Sequence, residues 1–439
     1  MRAYVTVCVC LVACSGRPPE PMAVAPAPTP SASTSATPDA RTEPPAEPED
    51  PFAGTLAEVA AARGLAVKGT VLGRRVNRKE MLDEVDREIA HEVPRKALEG
   101  TQEILIALDL APPDFDYGAA IRRVMTAKLA GFYQPRTKTM FLAQDLPVME
   151  QIITLNHELV HALQDQHFDL GGKLDYRDDA GDEQAALHAL AEGDATSLML
   201  DLMVRPQGKT ALDIPGDILA GSEELPPEAG KVPGIIVRSI VAPYRDGLTF
   251  VHHQRGRAGW RGVDAVWKRP PVSTEQIIHP EKYASDERPL DVEIPAAPGE
   301  GWEIDYHDVM GEQSVRVLLE EWLDHGRSAA AASGWGGDRI AVYSRGERRA
   351  VAWGLRWDDE AGAKRLEGAL RSAFGANAGR CGKGQRGAIA VHRAGSSLAL
   401  VVAPYGSGAQ SRQDCATALS WSARIAKGQA QGGLTPGQK

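Results

Sequence analysis

The central segment of the chain reads Gln151-Ile-Ile-Thr-Leu-Asn-His157-Glu158-Leu-Val-His161-Ala-Leu-Gln-Asp165-Gln-His167-Phe168. It contains H-E-x-x-H, and residues four apart lie one above the other on the same face of an α-helix. His157 and His161 can therefore present two imidazole nitrogens to one metal ion. Glu158 projects beside that face, where it can take a proton from a metal-bound water.

The apolar residues of this segment support a helix whose polar face carries the histidines. At roughly 100° per residue, one side gathers Ile152, Leu155, Leu159, Val160 and Leu163. His157, His161 and Asp165 stack on the opposite side. This arrangement favours metal binding over two alternatives, a structural role for histidines in a core and a chance occurrence of the motif.

Composition indicates a globular protein of two domains that does not bind nucleic acid. The chain has 439 residues, of which 43% are hydrophobic, enough for a large core. Its formal net charge of -10 leaves no basic footprint for a phosphate backbone.

The N-terminus is typical of an export signal. Arg2 precedes an apolar run over residues 3–13, which is too short to span a bilayer. Leu11-Val12-Ala13-Cys14 resembles the lipobox of bacterial lipoproteins, which implies that Cys14 is lipidated and anchors the chain to a membrane. Ser15 resembles the outer-membrane sorting pattern. The alternative is an ordinary signal peptide or a buried start.

Residues 14–52 are dominated by Pro, Ala, Ser, Thr and Glu, which predicts a disordered tether.

In the oxidising compartment that export implies, Cys381 and Cys415 can form a disulfide. Two buried thiols are the alternative.

A predicted β-hairpin lies just upstream of the H-E-x-x-H helix. Its two short apolar segments, within residues 130–143, flank Pro135-Arg136-Thr137-Lys138. An edge strand at this place can pair with an extended peptide substrate. A plain edge hairpin without a ligand is the alternative.

A catalytic zinc usually takes three protein ligands, so a third must come from elsewhere in the chain. Residues 182–204 form a predicted helix, in which Glu192 has small neighbours that allow close helix approach. Glu192 would complete a His/His/Glu site. His188, one turn earlier, is the rival ligand, and a solvated Glu192 is the remaining alternative.

The two segments together resemble the gluzincin group of zinc metallopeptidases, and more narrowly a set of bacterial envelope lipoproteins presumed to be peptidases. The motifs are His157-Glu-Leu-Val-His161-Ala-Leu-Gln-Asp-Gln and Glu192-Gly-Asp-Ala. The resemblance implies Zn²⁺ held by His157, His161 and Glu192. Where the group has an acidic residue four positions later, this chain has Thr196, so Asp165 or Asp194 is expected to orient a ligand imidazole.

A second string shared with those lipoproteins runs from Ser273-Thr-Glu-Gln276 to His279-Pro280 and Tyr283. The resemblance implies that His279 or Tyr283 donates to the developing oxyanion. The same residues also fit a capping box followed by a helix end.

The C-terminal part has a ββα-ββα rhythm, which predicts a small α/β unit. Other local patterns predict a strand within 67–76, helix breaks at Pro94 and Gly100, a helix from Pro243, a tight turn at 334–338 and a frayed tail after Lys427.

The predicted fold is α+β, with four parts: a signal peptide (1–13), a tether (14–52), a zincin-like metallopeptidase domain (53–290) and a C-terminal α/β region (291–439). The expected function is a lipid-anchored zinc peptidase that acts on a peptide or protein substrate, with Glu158 as general base. The rival is a non-catalytic envelope binding or scaffold lipoprotein with a structural or vestigial metal site. A di-iron carboxylate protein, which would need further E-x-x-H helices besides Glu158-Leu-Val-His161, is the disfavoured alternative. Substrate identity, cleavage mode and oligomeric state stay open.

Overall fold

A computed structural model describes residues 52–214, 232–406 and 412–432, and the backbone of residues 8–11. The helices are α1 Ala53–Arg63, α2 Arg78–Glu92, α3 Arg95–Ala107, α4 Tyr117–Lys128, α5 Val148–Phe168, α6 Leu170–Leu174, α7 Gly181–Val204, α8 Gly234–Ala258, α9 Trp260–Lys268, α10 Thr274–Ile278, α11 Pro280–Ala284, α12 Gly311–Leu319, α13 His325–Ala332, α14 Glu360–Phe374 and α15 Arg412–Gly432. The strands are β1 Cys8–Leu11, β2 Leu72–Val76, β3 Leu129–Gln134, β4 Thr139–Ala143, β5 Glu303–Asp308, β6 Trp335–Arg345, β7 Arg348–Trp357, β8 Gly382–Lys383, β9 Ala388–Ala394 and β10 Ser397–Tyr405. The α+β class predicted from the sequence is confirmed.

The N-terminal sheet has the strand order β1-β3-β4-β2. β3 and β4 form the predicted hairpin, in which Phe132 lies opposite Phe141 and the two rings stack 4.8 Å apart. β2 pairs in parallel with β4, and β1 pairs antiparallel with the other edge of β3. Helix α5 packs on β3 and β4, so the hairpin lies directly beside the H-E-x-x-H segment.

The C-terminal sheet has six antiparallel strands in the order β5-β6-β7-β10-β9-β8. One face packs against α12 and α14 through Trp335 and Trp353, and the other packs against α15 through Trp421. The repeat β6-β7-α14 and β9-β10-α15 matches the predicted ββα-ββα rhythm. A disulfide joins Cys381 to Cys415 in α15, 34 residues later.

Buried polar contacts join the C-terminal sheet to the helices around α5. Asp308 of β5 accepts a hydrogen bond from the backbone N–H of Gly181, where α7 begins. Asp246 of α8 is buried and forms an ion pair with Arg316 of α12 at 2.6 Å. Helices α7 and α8 are therefore fixed to the C-terminal unit as well as to each other.

Several local predictions were wrong. Helix α3 runs through Gly100 without a break, because Gly100 packs against the ring of Tyr306. The strand predicted within 67–76 is confined to β2, and β5 was not predicted. Helix α8 begins at Gly234 and continues through Pro243. Ile152 is 47% exposed and does not belong to the buried side of α5.

Two further C-terminal predictions were wrong. Trp335 to Asp338 lie in β6, so only Gly334, at φ +83°, has turn geometry. Helix α15 continues beyond Lys427 to Gly432.

At the N-terminal end, Cys14 and the tether up to residue 51 lie outside the described residues. Within the described part of the chain, no helix is long and apolar enough to cross a membrane.

Candidate metal centre

Helix α5 places the two histidines of the motif in the protein interior. The helix begins after Pro147 and ends at Phe168, and the next residue, Asp169, adopts the left-handed conformation at φ 57°. Its apolar residues, including Leu159 and Leu163, pack against α1 and the N-terminal sheet. His157 and His161 are both buried, on the side of the helix that meets α7.

Three donor atoms from α5 and α7 converge at this contact. His157 Nε2 lies 3.0 Å from Glu192 Oε2 and 3.1 Å from His161 Nε2. His161 Nε2 lies 3.6 Å from the same Glu192 oxygen. Metal–ligand bonds of about 2.0–2.1 Å in a tetrahedral site separate neighbouring donors by about 3.3 Å. The three separations would therefore allow one metal ion to contact all three atoms.

The ionisation states also suit a metal site. Burial lowers the pKa of His157, which keeps its imidazole neutral. Burial alone would raise the pKa of Glu192, but its contacts with His161, His157 and His188 hold that pKa well below its usual value. A neutral imidazole and an ionised carboxylate are the forms that bind Zn²⁺.

Glu158 lies beside the three donors. A carboxylate oxygen of Glu158 and the ring nitrogens of His157 and His161 all lie within 4.8 Å of one another. The side chain is fully buried, and its Oε2 accepts a hydrogen bond of 2.9 Å from the backbone N–H of Tyr133 in β3. The base predicted by the motif is therefore held between α5 and β3.

His188, the rival third ligand, lies behind Glu192. Its Nε2 is 3.0 Å from Glu192 Oε1, whereas Glu192 Oε2 faces His157 and His161. The structure thus brings Glu192 to the paired histidines and places His188 against the other oxygen of its carboxylate.

Neither aspartate expected to orient an imidazole bonds to one. Asp165 accepts hydrogen bonds from the Tyr133 hydroxyl at 2.9 Å and from Lys138 Nζ at 2.5 Å. Asp194 forms a buried ion pair with Arg63 at 2.7 Å and accepts a bond from the Trp267 indole at 2.9 Å. The carboxylate of Asp194 therefore anchors α7 to α1 and to α9.

Gln164 was not predicted and does contact a ligand. Its Oε1 lies 2.8 Å from His161 Nδ1, and its Nε2 donates to the Ala191 carbonyl at 3.0 Å. The signal was present in the sequence, since residues three apart share a helix face and Gln164 follows His161 by three. An uncharged amide gives no further local signal that sets it apart from other helix glutamines.

His279 and Tyr283, the expected oxyanion donors, make hydrogen bonds elsewhere. His279 Nε2 lies 2.9 Å from Glu312 Oε1, and this contact raises the pKa of His279. The Tyr283 hydroxyl donates to the Arg269 carbonyl at 2.9 Å, and its ring packs edge-on against Phe250. Neither of these bonds is to a metal donor, so the oxyanion role of both residues stays a prediction.

A close crossing of α7 and α8 fixes the position of Glu192. A Cβ added to Gly193 would lie 2.1 Å from the Gly247 carbonyl oxygen, and one added to Gly247 would lie 1.8 Å from the Ala189 carbonyl oxygen. Only glycines permit this approach, which also brings Tyr244 of α8 to His157 with 5.9 Å between ring centroids. The small residues flanking Glu192 therefore serve contact with α8.

A second cluster of acidic side chains surrounds the ammonium group of a lysine. Glu275, Glu287 and Asp358 are close enough to hold a cation. Lys282 Nζ lies 2.6 Å from Glu275, 2.7 Å from Glu287 and 2.6 Å from Asp358. The lysine already neutralises these carboxylates, so the group is an ion-pair cluster.

One family model matches part of the chain. Residues 300–411 match the family described as a domain of unknown function (DUF8575), and this segment spans β5 to β10. Comparisons with curated proteins and with solved structures gave no match. The matched segment contains none of the three converging donors, His157, His161 and Glu192.

Proposed function

We propose that this protein is a zinc-dependent peptidase of the gluzincin type, with a zincin-like N-terminal domain. The observation that carries the proposal is the convergence of three donors, His157, His161 and Glu192, at separations of 3.0–3.6 Å with Glu158 beside them. Two imidazoles and one carboxylate are a ligand set of catalytic zinc sites that leave a fourth position for water.

Each residue has a role that its position supports. Bound Zn²⁺ would lower the pKa of a water and polarise the scissile carbonyl. Glu158 would take the proton of that water and later deliver it to the leaving amine. The hydrogen bond from the Tyr133 N–H keeps the Glu158 carboxylate next to the donors.

An extended peptide is the substrate that the edge of β3 favours. Residues 8–11 pair antiparallel with that edge, and Cys8 lies opposite Tyr133, the residue whose N–H bonds to Glu158. A strand bound in this way runs past the proposed base. If residues 1–13 are an export leader, their removal leaves this edge free for a substrate.

We further propose that the protein is exported and anchored through a lipid on Cys14, at the outer membrane of a bacterial envelope, as the lipobox-like Leu11-Val12-Ala13-Cys14 suggests. A tether of residues 14–52 would then hold the peptidase domain away from the membrane surface.

A non-catalytic binding lipoprotein with a structural metal is the second candidate. The observation that favours it is the burial of the donors, since His157, His161 and Glu192 are at most 1% exposed. A structural site is closed to solvent, whereas a catalytic site exchanges water and substrate.

Replacing Glu158 with glutamine separates the two candidates. The peptidase proposal expects E158Q to keep its zinc and to lose cleavage of a peptide library, because glutamine cannot accept the proton. Glu150→Gln, on the first turn of the same helix, is the matched control and should cleave like wild type. Zinc bound by wild type without cleavage of any peptide would favour the binding protein.

A further inference from the structure

Gln164 bridges the two helices that supply the metal donors. The side chain is fully buried between α5 and α7. Its Oε1 lies 2.8 Å from His161 Nδ1, and its Nε2 lies 3.0 Å from the carbonyl oxygen of Ala191, the residue before Glu192. One amide therefore contacts a ligand on one helix and the backbone next to a ligand on the other.

The Ala191 carbonyl determines which way the amide points. A carbonyl oxygen only accepts hydrogen bonds, so the Gln164 amide must turn its NH₂ group toward Ala191 and its oxygen toward His161. That oxygen accepts a hydrogen bond only if His161 carries its proton on Nδ1. The lone pair of His161 is then on Nε2, the atom that lies 3.1 Å from His157 Nε2.

We infer that Gln164 is a positioning residue that holds His161 in its metal-binding tautomer and fixes Glu192 relative to α5. The inference rests on the proposed metal site. It assigns two separable tasks to one amide, an acceptor for the imidazole and a donor to α7. Residues that hydrogen-bond to a metal ligand typically contribute about 10- to 100-fold to metal affinity, and we expect an effect of this size for Gln164.

Two variants separate the tasks. Gln164→Leu removes both bonds at similar volume, and zinc affinity should fall by about 10- to 100-fold. Gln164→Glu keeps an acceptor for His161 but places an oxygen against the Ala191 carbonyl, so it should preserve the tautomer and destabilise the α5–α7 contact. Gln166→Leu is the matched control, because Gln166 lies on the same helix and, among the described residues, bonds to the backbone of Lys68 and Gly69.

Chelator competition measures zinc affinity, and ¹⁵N NMR of the imidazoles in metal-free protein measures the tautomer. We expect the Nδ1–H form of His161 in wild type and Q164E, and a shift toward Nε2–H in Q164L. An Nε2–H tautomer in wild type, or equal zinc affinity of Q164L and Q166L, would overturn the inference. If wild type binds no zinc, the proposed function fails, while the tautomer of the metal-free protein still decides the role of Gln164.

Discussion

Replacing Gly193 with alanine should push α7 away from α8 and disturb the metal donors. The new Cβ would lie 2.1 Å from the Gly247 carbonyl oxygen, whereas ordinary contact begins at 3.4 Å. The helices must therefore separate by about 1.3 Å, because the obstructing atoms are backbone and cannot rotate away. Overpacking of this kind costs about 1–3 kcal/mol, and the better helix propensity of alanine returns about 1 kcal/mol.

Because the clash is severe, we take the upper end of that cost, about 3 kcal/mol. After the gain of about 1 kcal/mol in helix propensity, the free energy of unfolding of Gly193→Ala should fall by about 2 kcal/mol. Zinc affinity should fall too, since Glu192 adjoins the crossing and metal–ligand distances tolerate only about 0.2 Å. Urea unfolding of the metal-free protein and chelator competition measure the two effects.

Gly368→Ala is the control for this prediction. Gly368 lies inside α14, and no atom lies within 4 Å of its added Cβ. Alanine there should stabilise the protein by about 0.5–1 kcal/mol. If G193A is as stable as wild type and binds zinc equally well, α7 and α8 do not cross as closely as described and the reasoning is refuted.

Three other perturbations test separate parts of the fold. Arg63→Ala leaves the Asp194 carboxylate buried without its partner, which should cost about 3–5 kcal/mol in urea unfolding; a change below the error of that experiment would contradict it. Burial raises the pKa of Asp182 to about 7, with Asp338 and Glu312 adding repulsion. A carboxyl group whose pKa is raised by folding contributes stability at about pH 4 that is lost as pH rises to about 7. The free energy of unfolding of Asp182→Asn should therefore rise relative to that of wild type across this range, by up to about 4 kcal/mol. Parallel stability–pH curves of the two proteins would disprove this. Reducing the Cys381–Cys415 disulfide, which closes a loop with a sequence separation of 34, should cost about 4 kcal/mol in the chain-entropy model, and double serine replacement with unchanged stability would contradict that value.

The ligand helices could be predicted from the sequence because their signals are local. The spacing of His157 and His161 and the small neighbours of Glu192 both depend on helix periodicity within a single segment. The ββα-ββα rhythm is local in the same way, since alternating apolar residues mark each strand.

The remaining errors concern partners that lie far away in the chain. Gly100 suggested a helix break because glycine disfavours a helix interior. The contact that accounts for this glycine, the ring of Tyr306, comes from a strand about two hundred residues later. The contact of His279 with Glu312 of α12 is likewise one that the local pattern does not indicate. Tertiary contacts of this kind leave no mark in a local pattern.

Gln164 shows the same limit inside the site. Its distance from His161 along the helix was readable, but its second bond, to the Ala191 carbonyl, exists only after α5 and α7 pack together. The role of a buried amide therefore follows from two helices, whereas each histidine follows from one.

The metal content of the purified protein tests the central claim most directly. Elemental analysis after dialysis against a weak chelator should give one zinc per chain for wild type and E158Q, and little or none for Glu192→Ala. Wild type without zinc, or Glu192→Ala that holds as much zinc as wild type, would contradict the three-donor site formed by His157, His161 and Glu192.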